Sequence, residues 1–486
     1  MSLTSKTIEA FFWSGTTQLL RQVFQFIITA ILARLLSPTD FGIIGMALVF
    51  TSFITLFNEM GIVAGVVKEK NINQEELSSI FFINLGLGIF FTILTISLSS
   101  VIAHFYQKEI IKPIIILLSF NFFMGSFINV QQALFQKKLE FKKLTITVVF
   151  SLILSGSIGI FLAYKGFGVW SLVFQNLSLT LFRAIFLWLA SSFSPKLVFS
   201  WQRVENFFVF SLQVLGYNII NFFSRNLDYL LIGKFLGAAP LGYYTLAYRL
   251  MLSPLRNVSN TIGVVLSPAF CEIQDNKPKI REAYLKSIQC ISLVTFPMML
   301  GLFAIAPEFV SVIYGSKWKP AIFVIRVLCF TGILQSIGDN IPSIFLSTSR
   351  ADIQLKWSIV SVSLTCLAII IGLNWGINGV AIAYTSIQFL LWLPSNIIAN
   401  RLIDLKTRDF IASFFPISLI SFIMLAIIIE FHHIQKSVLN LNSLYLMISS
   451  IVLGICCYLS LLLLFRIKIV NELIKMLKDM FNRKAS

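Results

Sequence analysis

The stretch Ser211–Arg256 reads SLQVLGYNIINFFSRNLDYLLIGKFLGAAPLGYYTLAYRLMLSPLR. Its composition is that of membrane-spanning helices, yet it carries Arg225, Asp228, Arg249 and Arg256. Ser211, Asn218, Asn221, Arg225 and Asp228 recur at helical intervals, which puts them on one narrow face. Arg249, Ser253, Arg256 and, just beyond the stretch, Asn260 form a second such face. A charge at mid-bilayer costs roughly 2.5–3.5 kcal/mol even on the lenient insertion scale, so four of them facing lipid would cost on the order of 10 kcal/mol. They are expected to face one another or a water-filled, cationic cavity.

The rest of the chain agrees with a membrane location. Of its 486 residues 57% are hydrophobic and 12% charged, and its mean hydropathy is +0.86. A soluble domain is nearer a quarter charged. Met1–Glu9 is mixed polar, and the apolar run after it is long and carries Arg21, so no cleaved signal peptide is expected. The six cysteines, Cys271, Cys290, Cys329, Cys366, Cys456 and Cys457, show no metal spacing; the vicinal pair reads as two small core residues.

Apolar runs long enough to span a bilayer fall at 10–36, 41–67, 79–105, 111–136, 144–164, 167–192, 205–236, 240–269, 283–306, 320–346, 356–375, 377–400, 410–430 and 443–465. The fold class read from them is an all-α polytopic membrane protein with about fourteen transmembrane helices. Ser37-Pro38-Thr39-Asp40 and Asn374-Trp375-Gly376 are tight turns. Pro307–Lys319 reads as an interfacial turn with Trp318 at the headgroup level. The termini and even-numbered loops hold 23 Lys and Arg, the odd-numbered loops 8, and the spans the remaining 7. That bias puts both termini in the cytoplasm. The net charge of +17 is then mostly a cytoplasmic belt facing anionic membrane lipids, and it does not suggest nucleic acid. In Ile469–Phe481 the residues Ile469, Leu473, Leu477 and Met480 share one face among lysines, the pattern of an interfacial helix.

An internal repeat has an offset of 200. Leu35-Leu36-Ser37-Pro38-Thr39-Asp40-Phe41-Gly42 matches Phe235-Leu236-Gly237-Ala238-Ala239-Pro240-Leu241-Gly242, with Arg34 against Lys234. The stripe Ser14, Gln18, Arg21, Gln25 corresponds to Val214, Asn218, Asn221, Arg225. Gly166-Phe167-Gly168-Val169 is echoed by Gly376-Ile377-Asn378-Gly379-Val380. Six helices separate the members of each pair, so the repeat is parallel: an N-lobe 1–200, a C-lobe 201–400, and an addition 401–486 with two helices and a basic tail. In transporters built from repeats the site lies between them near the midplane.

Ala33-Arg34-Leu35-Leu36-Ser37-Pro38-Thr39-Asp40-Phe41-Gly42, Phe57-Asn58-Glu59-Met60-Gly61, Lys68-Glu69-Lys70 and Tyr314-Gly315-Ser316-Lys317-Trp318-Lys319-Pro320-Ala321 resemble the polysaccharide transporter family. These are the lipid-linked oligosaccharide flippases of the multidrug/oligosaccharidyl-lipid/polysaccharide (MOP) superfamily, of O-antigen, colanic-acid and teichuronic-acid type. The resemblance covers about residues 8–400. It implies a V-shaped bundle in the bacterial cytoplasmic membrane that moves an undecaprenyl-pyrophosphate-linked oligosaccharide to the outer leaflet, for lipopolysaccharide or a similar surface polysaccharide. It also implies coupling to H+ or Na+ and a glycan polymerase as downstream partner.

In that light Arg21, Arg225, Arg249, Arg256 and Arg326 are candidates for the pyrophosphate, with Gln18, Gln25, Asn218, Asn221 and Asn260 as polar lining. Each has a plainer reading. Arg225 and Asp228, at i and i+3, could be a structural ion pair. Arg249 and Arg256 could pair with Asp339 or cap helix ends, and Arg326 could snorkel. The Asn and Gln stripes could be interhelical glue. Asp228, Asp339 and Glu59 are the candidate coupling-ion or pairing acids, though Glu59 also reads as a helix-end acid. Lys286 reads as interfacial. His104, His432 and His433 have no metal partner at usable spacing, and no metal or cofactor is expected. No Gly-x-x-x-x-Gly-Lys-Ser/Thr is present, so no ATP engine and no enzyme is expected. The alternatives to a flippase are a cation-coupled multidrug exporter, disfavoured by the excess of basic over acidic residues in the spans, and a membrane glycan polymerase, disfavoured by the short outer loops.

Overall fold

The computed structural model describes residues 3–59, 66, 72–198, 219, 222–223, 225–252, 276–348, 350–438, 442–467, 469–470 and 472. Among them every regular element is helical. The chain divides into two units, Met1–Thr245 and Leu246–Ser486. The first holds α1 (Leu3–Leu35), α2 (Pro38–Glu59), α3 (Gln74–Tyr106), α4 (Ile111–Lys137), α5 (Phe141–Tyr164), α6 (Val169–Ala190) and α7 (225–235). The division falls within α8 (238–252). The second unit continues with α9 (Lys277–Phe309), α10 (Ala321–Gly338), α11 (Ile341–Ser347), α12 (Ala351–Gly372), α13 (Gly376–Leu402), α14 (Thr407–Val438) and α15 (Ser443–Leu464).

Among the described residues eleven helical segments are long and apolar enough to cross a membrane. One of these, Asp352–Leu402, comprises α12 and α13, which turn back on each other through Leu373–Trp375 and Gly376 at φ 66°. The expected spans 205–236 and 240–269 are described only in part. The protein is an all-helical, multi-pass membrane protein.

Its surface is apolar, unlike that of a soluble domain. Large apolar side chains such as Leu189 (78% exposed) and Leu464 (75%) face outward, while Ser78, Thr95, Ser119, Ser126 and Ser151 are buried. Lipid is as apolar as leucine, so helices gain from close approach and interhelical hydrogen bonds rather than from hiding oil. The α3–α4 joint shows both. Asn84 Nδ2 donates to Ser126 O at 2.9 Å and Ser126 Oγ donates to Asn84 O at 2.9 Å. Gly88 lies beside them, where a Cβ would strike Ser126 and the Phe122 carbonyl.

The turn at Ser37 is a capping box. Asp40 Oδ2 accepts from Ser37 N at 2.9 Å and from Ser37 Oγ at 2.6 Å, while Asp40 N donates to Ser37 Oγ at 3.2 Å. Asp40→Ala is expected to cost about 1 kcal/mol, as loss of a helix cap generally does; thermal unfolding of purified protein in detergent checks it. The same break recurs 200 residues on, where α7 ends at 235 and α8 resumes at 238. The two turns interlock. A Cβ on Gly42 would overlap the Ala238 carbonyl, and one on Gly242 would overlap the Pro38 carbonyl. Buried Pro38 and Phe41 have buried counterparts in Ala238 and Leu241.

Two expectations change. Trp318 is fully buried within the protein instead of being presented to headgroups, because α9 runs through Pro307 to Phe309 and a π-helical turn, Val310–Tyr314, folds Tyr314 to within 6.4 Å of the Trp318 ring. Cys456 is exposed, since α15 packs through Gly454, Tyr458 and Leu462, on another face. The expected span 320–346 appears as one apolar segment, Ala321–Phe345, in which α10 ends at Gly338 with Asp339 as its C-cap. Most of the basic tail Ile469–Phe481 lies outside the described residues.

Candidate functional site

On α1, Thr17 meets Thr145 of α5 and Ile28 packs where Gly156 leaves room. The stripe of Ser14, Gln18, Arg21 and Gln25 flanks this seam; Arg21 and Gln25 are exposed and Gln18 half-buried. Residues three and four positions from Arg21 are Thr17, Gln18, Phe24 and Gln25, so no carboxylate on α1 can neutralise it.

On α7, Arg225 is exposed and Asp228 buried. Asp228 Oδ2 accepts from the Tyr244 hydroxyl on α8 at 2.8 Å, and Oδ1 accepts from Tyr229 N at 2.9 Å. The rings of Tyr229 and Tyr244 meet edge to face at 5.8 Å. The i, i+3 spacing therefore does not become an Arg225–Asp228 ion pair: a phenol on the next helix holds the acid. Tyr244 carried no polar periodicity, and only the fold brings it to Asp228. The end of α7 is anchored to α3: Lys234 Nζ donates to the Phe105 carbonyl and lies 4.9 Å from the Phe105 ring centroid, and a Cβ on Gly233 would touch Tyr106.

In the second unit Arg249 is exposed on α8, and the residues three and four positions away in the sequence carry no acid. Arg326 is tied to α9: its Nε donates to Phe303 O at 3.1 Å and its guanidinium lies 5.4 Å from the Phe303 ring centroid. This is the geometry of a partly desolvated cation–π anchor. Asp339 is exposed just past α10. Lys286, half-exposed, pairs with Glu282 at 3.1 Å and Glu472 at 3.5 Å. In the first unit Arg183 donates to Gln132 Oε1 of α4 at 2.6 Å. Arg256, Asn218, Asn221, Asn260 and the Glu59 side chain lie outside the described residues.

The arrangement offers exposed guanidinium groups on apolar helices, alongside a buried acid already occupied by a phenol. Groups of three or more metal-ligating side chains are absent among the described residues. The comparisons with known proteins bear on what such a chain is. It is 29% identical over 404 residues to the lipopolysaccharide biosynthesis protein WzxC of Escherichia coli K12, with 80% of each chain covered. It shares its fold with the lipid II flippase MurJ in an inward closed conformation, at TM-score 0.72 and 17% identity over 94% of this chain and 99% of that one. It also shares it with an inward-facing multidrug resistance MATE transporter of the MOP superfamily, at TM-score 0.64 and 15% identity over 80% of this chain and 98% of that one. A family model described as polysaccharide biosynthesis protein matches residues 31–323, well over half of the chain, and the chain belongs to that family.

Proposed function

We propose that the protein is a flippase that carries a polyprenyl-pyrophosphate-linked oligosaccharide from the inner to the outer leaflet of the bacterial cytoplasmic membrane for surface-polysaccharide assembly. The observation that carries this reading is the exposure of Arg21 and Arg249 on apolar helices, with no acid three or four positions away along the sequence to neutralise them. A pyrophosphate head loses its hydration on entering hydrocarbon, and a cationic, hydrated lining replaces it. Guanidinium suits this task because its fork matches phosphate oxygens two at a time. The polyprenyl tail stays in lipid while the head crosses.

The same reading takes two six-helix lobes with α14 and α15 outside them, fourteen spans in all, both termini in the cytoplasm, and alternating access linked to H+ or Na+. Arg225 and Arg256 join Arg21 and Arg249 at the head group, with Gln18, Gln25, Asn218, Asn221 and Asn260 toward the sugar. Arg326 supports the site through Phe303. Asp228, Glu59 and Asp339 are its candidate coupling acids, and a glycan polymerase receives the product. A drug exporter shares the fold, so fold alone does not choose between the two; the WzxC likeness and the basic excess favour the lipid-linked glycan.

Complementation tests it. Deleting the gene is expected to trap lipid-linked oligosaccharide on the inner leaflet. Wild type restores export, Arg21→Ala and Arg249→Ala restore less than a tenth of it, and lysine at either position restores part. Full export by both alanine variants rejects the cationic site. Normal export together with altered tolerance of cationic drugs in the deletion strain moves the assignment to an exporter.

A further inference from the structure

The chain does not leave the first unit where α6 ends at Ala190. Ser191 already has extended backbone, with φ −96° and ψ 145°, and residues 191–198 run on as a non-helical strap. The strap crosses the start of α3 and the end of α4. Pro195 has no N–H to satisfy and biases Ser194 toward extended backbone, which keeps the strap from prolonging α6.

Phe193 plugs the strap into the helices. It is buried in a socket of Val66, Leu77, Ile80, Phe81, Val130 and Ala133. Hydrogen bonds hold the backbone on either side of the plug. Gln74 Nε2 donates to Ser194 O at 2.7 Å, and Lys196 N donates to Ser78 Oγ at 3.0 Å. The Ser78 hydroxyl gives its own proton to Gln74 O at 2.7 Å, so its oxygen is the acceptor for Lys196. Gln131 Nε2 makes a longer contact, 3.4 Å, to Phe193 O. The last turn of α6 is pinned as well: Trp188 Nε1 donates to Phe127 O at 2.9 Å, and its ring lies 5.8 Å from that of Phe81.

Release of the strap has a clear cost. Withdrawing Phe193 would wet a socket whose walls Val66, Val130 and Ala133 are fully buried, and would take the Ser194 carbonyl from Gln74. Leu197, by contrast, is 94% exposed, so the hold is concentrated at Phe193 and the backbone bonds beside it. No local pattern announces the strap, because Gln74 and Ser194 lie 120 positions apart.

We propose that residues 191–198 are a fixed anchor that stays docked on α3 and α4 throughout transport, so that the N-lobe moves as a body ending at Val198 instead of at Ala190. This rests on the two-lobe transport reading given above; the docking itself does not.

Hydrogen exchange of the full-length protein in nanodiscs tests the docking. Phe193→Ala is expected to speed exchange of the strap amides, that of Lys196 included, by tenfold or more, and Leu197→Ala to leave them unchanged. Equal rates in wild type and Phe193→Ala overturn the docked strap. Should Phe193→Ala not fold, Gln74→Ala serves: an acceleration of about fivefold is expected, what one hydrogen bond is worth, and none overturns the docking. Cross-linking tests the permanence. Gln74→Cys and Ser194→Cys are joined by a short reducible thiol cross-linker in a chain whose six native cysteines are replaced. Export by the cross-linked protein is expected to stay within twofold of that before cross-linking. Export lost on cross-linking and regained on reduction makes the strap a latch that must open, and overturns the anchor. A wild type that exports nothing rejects the transport reading instead, and with it the N-lobe as a moving body, while the exchange result stands.

Discussion

Gly42→Ala is expected to destabilise the protein by about 3 kcal/mol or more, the upper end of the cost of overpacking. The added methyl would overlap the Ala238 carbonyl, and backbone cannot swing aside as the tip of a flexible side chain can. Gly242→Ala meets the Pro38 carbonyl and should cost a similar amount. The two contacts are reciprocal, so the double variant should cost less than the sum: once one methyl has parted the turns, the second enters space already opened. Gly15 and Gly86 provide the control. A Cβ at either meets nothing within 4 Å, and an exposed helical glycine gains up to about 1 kcal/mol on becoming alanine. Thermal unfolding of the four single variants measures the contrast. A wild-type midpoint for Gly42→Ala would show that the turns are not interlocked as described. Export should fall with Gly42→Ala and be unaffected by Gly86→Ala.

Tyr244→Phe should cost about 2–3 kcal/mol, because it takes a hydrogen bond from a buried carboxyl group and leaves nothing in its place. Asp228→Ala should also destabilise, since it removes the acceptor of the buried Tyr244 hydroxyl, while Asp228→Asn should cost less by keeping an acceptor. The repeat makes a sharper experiment available. The positions 200 residues earlier are Ile28 and Ile44, both buried. Replacing Asp228 and Tyr244 together by isoleucine should therefore recover most of the stability lost in either single variant, since apolar residues of fitting volume often replace a buried polar pair without loss. Export by that double variant then separates two roles. Normal export makes the pair purely structural. Stable protein without export makes the carboxyl part of transport and strengthens its candidacy as a coupling acid. A double variant less stable than either single would mean that this interior requires polarity.

The membrane class, the helical runs and the turn at Ser37 were legible in the sequence because each is local. A span is read from about 20 consecutive residues, and a capping box from four. The likeness of 35–42 to 235–242 was legible for the same reason, as letters at matching positions. The stripe of Gln18, Arg21 and Gln25 was likewise visible as periodicity.

What a charged residue touches is a different kind of fact. Arg225 and Asp228 share a helix at pairing distance, yet Asp228 is held by Tyr244 across a helix break. Arg326 looked like a ligand for an anion, yet Phe303 supplies both a carbonyl and a ring face to it. Trp318 has the composition signature of an interface anchor, yet the π-helical turn at Val310–Tyr314 folds it inside. Sequence alone determined that this chain lies in a membrane, where its helices run and that its apolar runs carry more basic than acidic residues, because hydropathy and periodicity are properties of neighbours along the chain. Tertiary structure alone decided that Asp228 meets Tyr244 and that Arg326 meets Phe303. Partner choice in a low-dielectric interior depends on groups brought within a few ångströms from distant positions, and no local pattern encodes that approach.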